Sequence, residues 1–444
     1  MLNLLQKYNV AAPRYTSYPT VPHWDTQDFN TSSYISGLKT AYASYSAAGI
    51  SLYIHLPFCE SLCTYCGCNT RITKNHKVES PYIDALLKEW EIYKKLLGET
   101  PKIKELHLGG GTPTFFSAEN LKYLLENILA GQKETGDYSF EAHPDNTTLE
   151  HLQVLYSMGF TRISLGIQDF DPRVQFLINR FQTVSQVDAI TKSAREIGYT
   201  SVNYDLIYGL PGQSKTGLIN TIQEVVQLKP DRIAFYSYAH VPWVKPGQRH
   251  FTEQDLPQGQ AKFELYELGK KMLNEAGYEE IGMDHFALST DALFKSKLAG
   301  QLHRNFMGYT PMHTKILIGL GVSSISDCSN GYAQNEKKVE DYLSRIAMAE
   351  LPIQKGHLST SQDQKIRTQI LALMCQEALW IESADLPKIK ARLASLITDE
   401  LVEVQGNWIN VKPLGKSFLR NICMALDEKM WEKNTAGLLF SAAI

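Results

Sequence analysis

Short apolar runs alternate with longer amphipathic segments between about residues 50 and 236. Six of the runs have the length and composition of β-strands: 51–56, 104–108, 138–142, 161–166, 201–206 and 232–236. Apolar residues recur at helical spacing in the segments between them: 81–97, 118–130, 147–157, 183–197 and 215–228. This alternation predicts an α/β protein with a parallel sheet, and six units predict a full or partial β/α barrel.

The segment 81–97 has the clearest helix signals. Ser80 stands at the expected N-cap, Pro81 at the first turn, and Gly98 follows the last apolar position. Its apolar stripe consists of Ile83, Leu86, Leu87, Trp90, Tyr93 and Leu97. We therefore predict a helix with one buried face.

Unusual polar and glycine residues follow each predicted strand. In a β/α barrel this is the edge where functional residues gather, because the carboxyl ends of all parallel strands meet there. The segments are His55–Cys59, Gly109–Pro113, Glu141–Pro144, Gly166–Gln168, Asp205 with Gly209–Gly212, and Tyr238–His240. Six such segments in succession predict one shared pocket.

The C-terminal region has a different pattern. Residues 361–379 and 386–397 are predicted helices, 401–411 a hairpin, and a further helix starts near Gly415. This order resembles a winged helix, a common DNA-binding arrangement. Residues 360–444 contain ten Lys/Arg and ten Asp/Glu, however, and phosphate binding requires excess positive charge. We therefore predict a lid or packing module and no nucleic-acid partner.

The predicted organisation has four parts: an N-terminal extension that contributes to the active site (1–45), a barrel (46–290), a connecting region that completes the pocket (291–359), and a mainly helical, winged-helix-like module (360–444). The length of 444 residues favours more than one domain. A hydrophobic content of 43% and a net charge of −3 are typical of a soluble globular protein. No membrane span or signal-peptide core is evident, so we expect a cytoplasmic protein without a membrane partner.

Four of the seven cysteines lie within ten residues, and the first three have the spacing C-x3-C-x2-C: Cys59, Cys63, Cys66 and then Cys68. Clustered thiolates select iron–sulfur clusters or zinc. Three thiolates leave one iron of a [4Fe–4S] cluster open to a ligand. A structural zinc site with Cys68 as fourth ligand is the alternative, although Cys66 and Cys68 are close for one tetrahedral ion.

The cysteine spacing, with Tyr65 before the third cysteine, resembles the signature of the radical S-adenosylmethionine (SAM) enzymes. The resemblance implies a radical SAM barrel, a [4Fe–4S] cluster held by Cys59, Cys63 and Cys66, and SAM bound at the open iron. Reductive cleavage of SAM there releases a 5′-deoxyadenosyl radical. In such enzymes the glycine turn after the second strand meets the methionine part of SAM.

Further motifs are similar to those of one family over nearly the whole chain, the oxygen-independent coproporphyrinogen III oxidases. They are Pro13–Thr20, Cys66–Asn69, Gly282–Ala287, His303–Phe306, Gly321–Ser323 and Arg420–Met424. The resemblance implies oxidative decarboxylation of two propionates of coproporphyrinogen III to vinyl groups, which gives protoporphyrinogen IX. It also implies haem biosynthesis, a low-potential electron donor and a terminal electron acceptor. We expect a monomer.

The resemblance implies two SAM molecules in one pocket. The positions matching the first SAM site are Tyr53, Gly110, Glu141 and Ile325. Those matching the second are Tyr65, Gly111, Thr112, Gln168, Arg180, Asp205 and Ala239. The predicted catalytic residues are Cys68, as a thiol lining the site, Glu141 and Arg304. A substrate with four carboxylates needs cationic partners, for which Arg14, His303 and Arg304 are the candidates.

Three positions depart from the family pattern: Ala11–Ala12, His143 and Thr310–His313. The last two are expected to alter the pocket. Three other functions are alternatives to the decarboxylation that the resemblance implies: a related haem-binding chaperone without decarboxylase activity, another radical SAM enzyme, and a zinc-stabilised structural protein. The segment Pro13–Thr20 and Cys68 favour the oxidase over the chaperone.

Overall fold

The computed structural model describes residues 2–433 and residue 440. Its helices are α1 Leu2–Tyr8, α2 Thr31–Tyr45, α3 Glu79–Leu97, α4 Ala118–Ile128, α5 Leu149–Ser157, α6 Pro172–Ile178, α7 Val184–Ile197, α8 Lys215–Leu228, α9 Gln260–Glu275, α10 Ala292–Leu298, α11 Val339–Ala347, α12 Ser361–Gln376, α13 Leu386–Thr398, α14 Leu419–Met424 and α15 Glu428–Lys433.

The strands are β1 Ile50–Leu56, β2 Phe58–Cys59, β3 Arg71–Ile72, β4 Ile103–Gly110, β5 Asp137–Ala142, β6 Phe160–Gln168, β7 Ser201–Tyr208, β8 Arg232–Ser237, β9 Tyr278–Gly282, β10 His285–Leu288, β11 His303–Asn305, β12 Gly308–Thr310, β13 Leu317–Leu320, β14 Ile325–Asp327, β15 Gly331–Asn335, β16 Ile353–Leu358, β17 Ala378–Trp380, β18 Val402–Gln405 and β19 Trp408–Val411. All six predicted strands and the five helices between them are present, with ends within about two residues of the predicted ones.

Twelve strands form one sheet in the order β16-β15-β14-β13-β1-β4-β5-β6-β7-β8-β10-β9. The seven strands from β13 to β8 are parallel, and antiparallel strands extend the sheet at both ends. The two outermost strands do not pair with each other, so the barrel is partial, as predicted. Strands β13–β16 come from the predicted connecting region and belong to the same sheet as the barrel.

The start of α3 differs from the prediction. A 3-10 turn over His76–Val78 leads directly into the helix, which begins at Glu79 and has Val78 rather than Ser80 at its cap position. The buried Glu79 carboxylate accepts hydrogen bonds from the backbone NH of Ser117 and from the side chain of Asn120. Gly98 ends the helix in the left-handed conformation, as predicted.

The C-terminal part contains helices α12 to α15 and a three-stranded sheet in the order β17-β19-β18. The predicted helix 361–379 is too long: Glu377 adopts a left-handed conformation and ends α12, and the next residues form β17. The hairpin and the winged-helix-like arrangement are confirmed. The final residues of this predicted module, 434–439 and 441–444, lie outside the described residues.

The N-terminal extension contacts the C-terminal part. Tyr8 donates a hydrogen bond to Asp399, and Asn421 donates one to the Tyr8 carbonyl. Arg420 donates to the carbonyl of Pro13 at 3.0 Å. Arg14 then reaches the barrel and donates to the carbonyl of Ser237, at the end of β8, at 2.9 Å. The extension therefore joins the C-terminal part to the site edge of the barrel. Within residues 2–433, we find no helix that combines the length and the apolar character needed to cross a membrane.

Candidate functional site

The cysteine loop follows β1 and is held at its base by backbone hydrogen bonds. The NH of Arg71 donates to the carbonyl of Pro57 at 2.8 Å, and that of Thr73 to Cys59 at 2.9 Å. From the neighbouring strand, the NH of Gly111 donates to Leu56 at 2.8 Å. These bonds fix both ends of the loop against the carboxyl edge of the sheet.

The loop borders a cavity of about 290 Å³. Residues from the first five predicted strand ends line it, whereas Tyr238–His240, after the sixth strand, do not. The lining residues include Cys59, Cys63, Tyr65, Cys66, Cys68, Gly110, Gly111, Thr112, Glu141, His143, Gly166, Gln168, Arg180 and Asp205. The prediction of one shared pocket is therefore confirmed for this set. Cys59, Cys63 and Cys66 are partly buried, while the loop residue Cys68 is more exposed.

Each of the three predicted cluster ligands has a hydrogen-bond partner. The Cys59 sulfur lies 3.4 Å from the Thr112 hydroxyl, and the Cys63 sulfur accepts from Arg180 at 3.6 Å. The Cys66 sulfur accepts from the backbone NH of Cys68 at 3.4 Å. Such contacts stabilise thiolates and tune the potential of a bound cluster.

The thiol of Cys68 acts on Cys66 as well. Its hydrogen bond lowers the pKa of Cys66 to about 6 and raises the pKa of Cys68 itself. Burial, in contrast, raises the pKa of Cys59 to about 12. Cys68 thus donates toward the Cys66 sulfur in this structure.

The side chains are not gathered around one point. Among residues 2–433, no group of three or more His, Cys, Asp and Glu side chains is arranged to hold a single metal ion. Ligands of one zinc lie about 2.3 Å from it and must converge closely. In a [4Fe–4S] cluster, each thiolate binds a different iron, so the sulfurs stand farther apart. Three partly buried, hydrogen-bonded thiolates at one cavity supply the donor set that the predicted cluster requires.

The glycine turn after β4 fits closely against β1. A Cβ at Gly111 would lie 2.6 Å from the carbonyl carbon of Pro57, and a Cβ at Gly110 would lie 2.5 Å from the ring of His55. Gly110 also has φ +112°, a conformation that favours glycine. The missing side chains let this turn approach both the cysteine loop and the cavity.

Glu141, at the end of β5, points at this turn. Its carboxylate accepts a hydrogen bond from the NH of Gly110 at 3.1 Å, and His107 lies 3.6 Å away. Burial acts to raise the pKa of Glu141, but His107 and the Gly110 amide outweigh it, so the pKa lies below its usual range. The side chain is therefore an anionic acceptor at neutral pH. Tyr53 lies on the same side of the turn, since a Cβ placed on Gly109 would lie 3.1 Å from both the Glu141 carboxyl group and the Tyr53 ring.

Asp205, at the end of β7, is the second carboxylate of the cavity. It accepts hydrogen bonds from Ser164 and Asn203, each at 2.9 Å. Burial and the charge of Glu141 raise its pKa to about 6. Gln168 lies beside it in a left-handed backbone conformation with φ 65°, which ends β6 and turns the chain into the cavity.

Arg180 is a buried cation between the cysteines and these carboxylates. It donates to the carbonyl of Gly166 and to the sulfur of Cys63, while its Nε has no hydrogen-bond partner in the described part of the chain. The guanidinium therefore keeps one donor available to a ligand.

Four predicted site residues do not line this cavity: Tyr53, Ala239, Arg304 and Ile325. Tyr53 packs behind Glu141, as described above. The carbonyl of Ala239 is linked to that of Tyr65 through the amide of Gln248, at 3.2 and 3.0 Å. Ile325 lies on β14, two strands away from β1. Its carbonyl lies beside Gly319, which pairs with Tyr53 in the sheet.

Arg304 lies on β11 and is almost fully buried. Its guanidinium stacks over the ring of Tyr309 at 4.6 Å, and neither Nε nor Nη1 has a hydrogen-bond partner among the residues described. Tyr309 and His285 line a smaller cavity of about 120 Å³ that shares Glu141, Ser164, Asp205 and Tyr236 with the main one. Arg304 therefore lies next to an inner extension of the site.

The two departures that were expected to alter the pocket lie in different places. His143 lines the main cavity, where burial and the charge of Arg180 lower its pKa to about 3, so the ring is neutral. His313 stacks on His303, with ring centroids 4.2 Å apart, beside a different cavity. Of the two expected effects on the pocket, only that of His143 has a structural basis.

Several residues of the site were not predicted from the sequence: His107, Ser164, Asn203, Tyr236 and Gln248. The first four stand inside predicted strands and point into the barrel, so the alternation of strand side chains was a usable signal. Gln248 comes from the loop after β8, where the sequence carries no such signal.

The chain is similar in sequence to proteins of known function. The sequence matches the Radical SAM superfamily over residues 53–225. It is 37% identical to the oxygen-independent coproporphyrinogen III oxidase of Escherichia coli, covering 97% of this chain and 96% of the relative. It is 35% identical to the enzyme of that name from Pseudomonas aeruginosa, covering 96% and 95%.

A solved structure agrees with the sequence relatives. The structure described as coproporphyrinogen III oxidase (HemN) from Escherichia coli, a radical SAM enzyme, superposes with a TM-score of 0.88 at 35% identity. The match covers 95% of this chain and 99% of that one. With identity above one third over nearly the full length, the chain belongs to the oxygen-independent coproporphyrinogen III oxidase family of radical SAM enzymes.

Proposed function

We propose that this chain catalyses the oxygen-independent oxidative decarboxylation of two propionate side chains of coproporphyrinogen III to vinyl groups, giving protoporphyrinogen IX. The observation that carries the proposal is the set of three cysteines, each with its own hydrogen-bond partner, beside a cavity formed by the carboxyl ends of parallel strands. Family membership over nearly the whole chain supports the choice of substrate.

The residues present fit the cofactors of the family. Cys59, Cys63 and Cys66 would hold a [4Fe–4S] cluster, and Cys68 would donate to Cys66 as a non-ligand that lines the site. When bound, the cluster and SAM together supply a 5′-deoxyadenosyl radical that removes a hydrogen atom from the propionate. An alkyl radical is required because no side-chain base can abstract hydrogen from an unactivated C–H bond.

For SAM, the chain supplies two groups of contacts. We propose that Tyr53, Gly110 and Glu141 bind the first molecule, with Ile325 as a more distant contributor. A second molecule would contact residues on the other side of the cavity: Tyr65, Gly111, Thr112, Gln168, Arg180, Asp205 and Ala239. Glu141 and Asp205 are suited to accept hydrogen bonds from ribose hydroxyls, and the free Nε of Arg180 to bind a carboxylate.

For the propionates, we propose Arg14 and Arg304. Arg304 is a buried guanidinium that no described carboxylate neutralises, and such a charge is stabilised when an anion binds. Arg14 is bonded to Ser237, the residue after the cavity residue Tyr236. His303 faces a separate cavity, so it is a weaker candidate. The proposed reaction also requires an electron donor, a terminal electron acceptor and anaerobic conditions. We propose that the chain acts in the cytoplasm as a monomer.

The test is an anaerobic assay with reconstituted protein, SAM, a chemical reductant and coproporphyrinogen III, followed by chromatography of the porphyrins. We expect 5′-deoxyadenosine together with a vinyl-bearing product. Deoxyadenosine without tetrapyrrole conversion would indicate another radical SAM reaction. Haem binding without turnover would indicate a chaperone, and zinc in place of iron and sulfide would refute the cluster itself.

A further inference from the structure

Exposed apolar side chains surround the cysteine loop. We call them the apolar rim: Leu62, Ile72, Phe176, Phe181, Trp243 and Val244. Phe176 is 72% exposed and Trp243 62% exposed, which is unusual for large aromatic residues. Scattered exposed apolar residues need no explanation, but a group of them on one face marks an interaction site.

Contacts tie the three segments of the rim to the cysteine loop. Asn179, between Phe176 and Phe181, donates to the carbonyl of Leu62 at 2.8 Å. Lys245, next to Val244, donates to the carbonyl of Cys68 at 3.0 Å. Ile72 pairs with Cys59 across β2 and β3. The rim is therefore one surface around the loop.

The same surface is positively charged. Five cations lie on the rim segments, and none of them forms an ion pair with a described carboxylate: Lys74, Lys77, Arg173, Lys245 and Arg249. The same segments carry two partly or fully exposed carboxylates, Glu60, which contacts His76 at 3.6 Å, and Asp171, which caps the start of α6, so the unpaired cations outnumber them. Because the whole chain has a net charge of −3, this local excess of positive charge is a distinct feature.

We propose that the apolar rim and its cations form the docking surface for a small acidic electron-transfer protein that reduces the cluster. This inference rests on the proposed function, which requires an electron at the cysteine loop. The step is a one-electron transfer: the donor is oxidised by one electron, the cluster is reduced by one, and no bond forms or breaks. The surface satisfies the need for proximity, because the loop that carries the ligand cysteines lies inside the rim.

The composition of the surface fits such a partner. Aromatic residues and arginine are enriched in protein interfaces, and complexes of electron-transfer proteins bury little area, below about 1,200 Å². Opposite charges accelerate association and make it depend on salt. An acidic partner is therefore favoured over a second copy of this chain, whose rim would carry the same positive charge.

The test measures binding directly. The reconstituted enzyme would be titrated anaerobically with an acidic flavodoxin and, separately, with an acidic ferredoxin, at about 50 mM and 500 mM salt. We expect the double variant Arg173→Glu/Arg249→Glu to weaken binding of at least one donor about tenfold or more at low salt, and much less at high salt. Phe176→Ser and Trp243→Ser should each weaken it about three- to tenfold.

Two controls match these variants on a remote surface. Trp408, 51% exposed on β19, and Lys390 on α13 are replaced in Trp408→Ser and Lys390→Glu, which should bind both donors like the wild type. Turnover driven by dithionite should be unchanged in all rim variants, because a small reductant needs no docking surface.

Three results would overturn the docking proposal. The first is normal binding of both donors by the rim variants, and the second is an equal loss of binding in the control variants. Self-association of the wild type that the rim variants abolish would assign the surface to a second copy. A donor that binds at the rim and reduces the cluster without any conversion of coproporphyrinogen III would instead refute the proposed function and leave the docking surface standing.

Discussion

Replacing Gly110 with alanine tests how the glycine turn supports the site. The new Cβ would lie 2.5 Å from two ring atoms of His55. That ring cannot turn away freely, because it contacts the Tyr53 hydroxyl at 3.0 Å and the carbonyl of Asn69 at 2.9 Å. The alternative, movement of the turn, would break the 3.1 Å hydrogen bond between the Gly110 NH and Glu141.

The magnitude follows from these contacts. A non-glycine residue held at a φ of +112° costs about 1–3 kcal/mol. Each hydrogen bond lost adds about 0.5–1.5 kcal/mol. We expect Gly110→Ala to lower the free energy of unfolding by about 2–5 kcal/mol. Because Asn69 lies just after the cysteine loop, displacement of His55 should also weaken SAM binding by about tenfold or more, which corresponds to about 1.4 kcal/mol.

Two measurements check this prediction: urea unfolding of the cluster-free protein and SAM affinity of the reconstituted protein. Gly37→Ala is the matched control, since it lies in α2 outside the cavity and a Cβ there meets only the Asn330 side chain at an ordinary 3.9 Å. The control should resemble the wild type in both assays. Wild-type stability and SAM affinity in Gly110→Ala would refute the reasoning, since neither the ring nor the turn would then be constrained.

Three further predictions follow from other contacts. Cys59→Ala should abolish the cluster, and Cys68→Ala should retain it; iron and sulfide analysis that shows loss in both would make Cys68 a ligand. Burial raises the pKa of Glu89 to about 7, so the folded protein binds this proton more tightly than the unfolded chain does. The free energy of unfolding of the wild type, relative to that of Glu89→Gln, should therefore fall by about 3 kcal/mol between pH 5 and 8 in urea unfolding. A difference between the two proteins that does not change with pH would contradict this. Arg304→Met should raise the KM for coproporphyrinogen III about tenfold or more, whereas an unchanged KM would remove Arg304 from the substrate site.

Six of the seven parallel strands were predictable because each carries a run of apolar residues next to an amphipathic segment; β13 was not predicted. The flanking strands were not predictable, because their sequences resemble loops. Residues Gly331–Asn335 are buried throughout β15, although Gln334 and Asn335 are polar. Asn335 is tolerated there because it donates to the buried carboxylate of Glu89 at 2.7 Å, a partner 246 residues away. No local pattern contains such a pairing.

In the site, too, some residues were predictable from the local sequence, while other contacts depend on distant parts of the chain. The rule that strand ends gather function predicted Gly110, Glu141, Gln168 and Asp205 together, and all four line the cavity. Contacts made by loops could not be predicted from the sequence, because Gln248 meets Tyr65 and Ala239 only when the chain folds. The sequence of a loop does not record which strand it will cross, so these contacts required the structure.

The arrangement around the three predicted ligand cysteines sets the fourth thiol, Cys68, apart from them. The backbone NH of Cys68 donates to the Cys66 sulfur, which orients residue 68 beside that ligand, and Lys245 holds the Cys68 carbonyl from the other side. The three ligands, in turn, take their partners from separate elements: the turn after β4, the loop itself and the segment after α6. Three thiolate ligands, as predicted for Cys59, Cys63 and Cys66, would leave one iron of the cluster for an exchangeable ligand, as radical SAM chemistry requires.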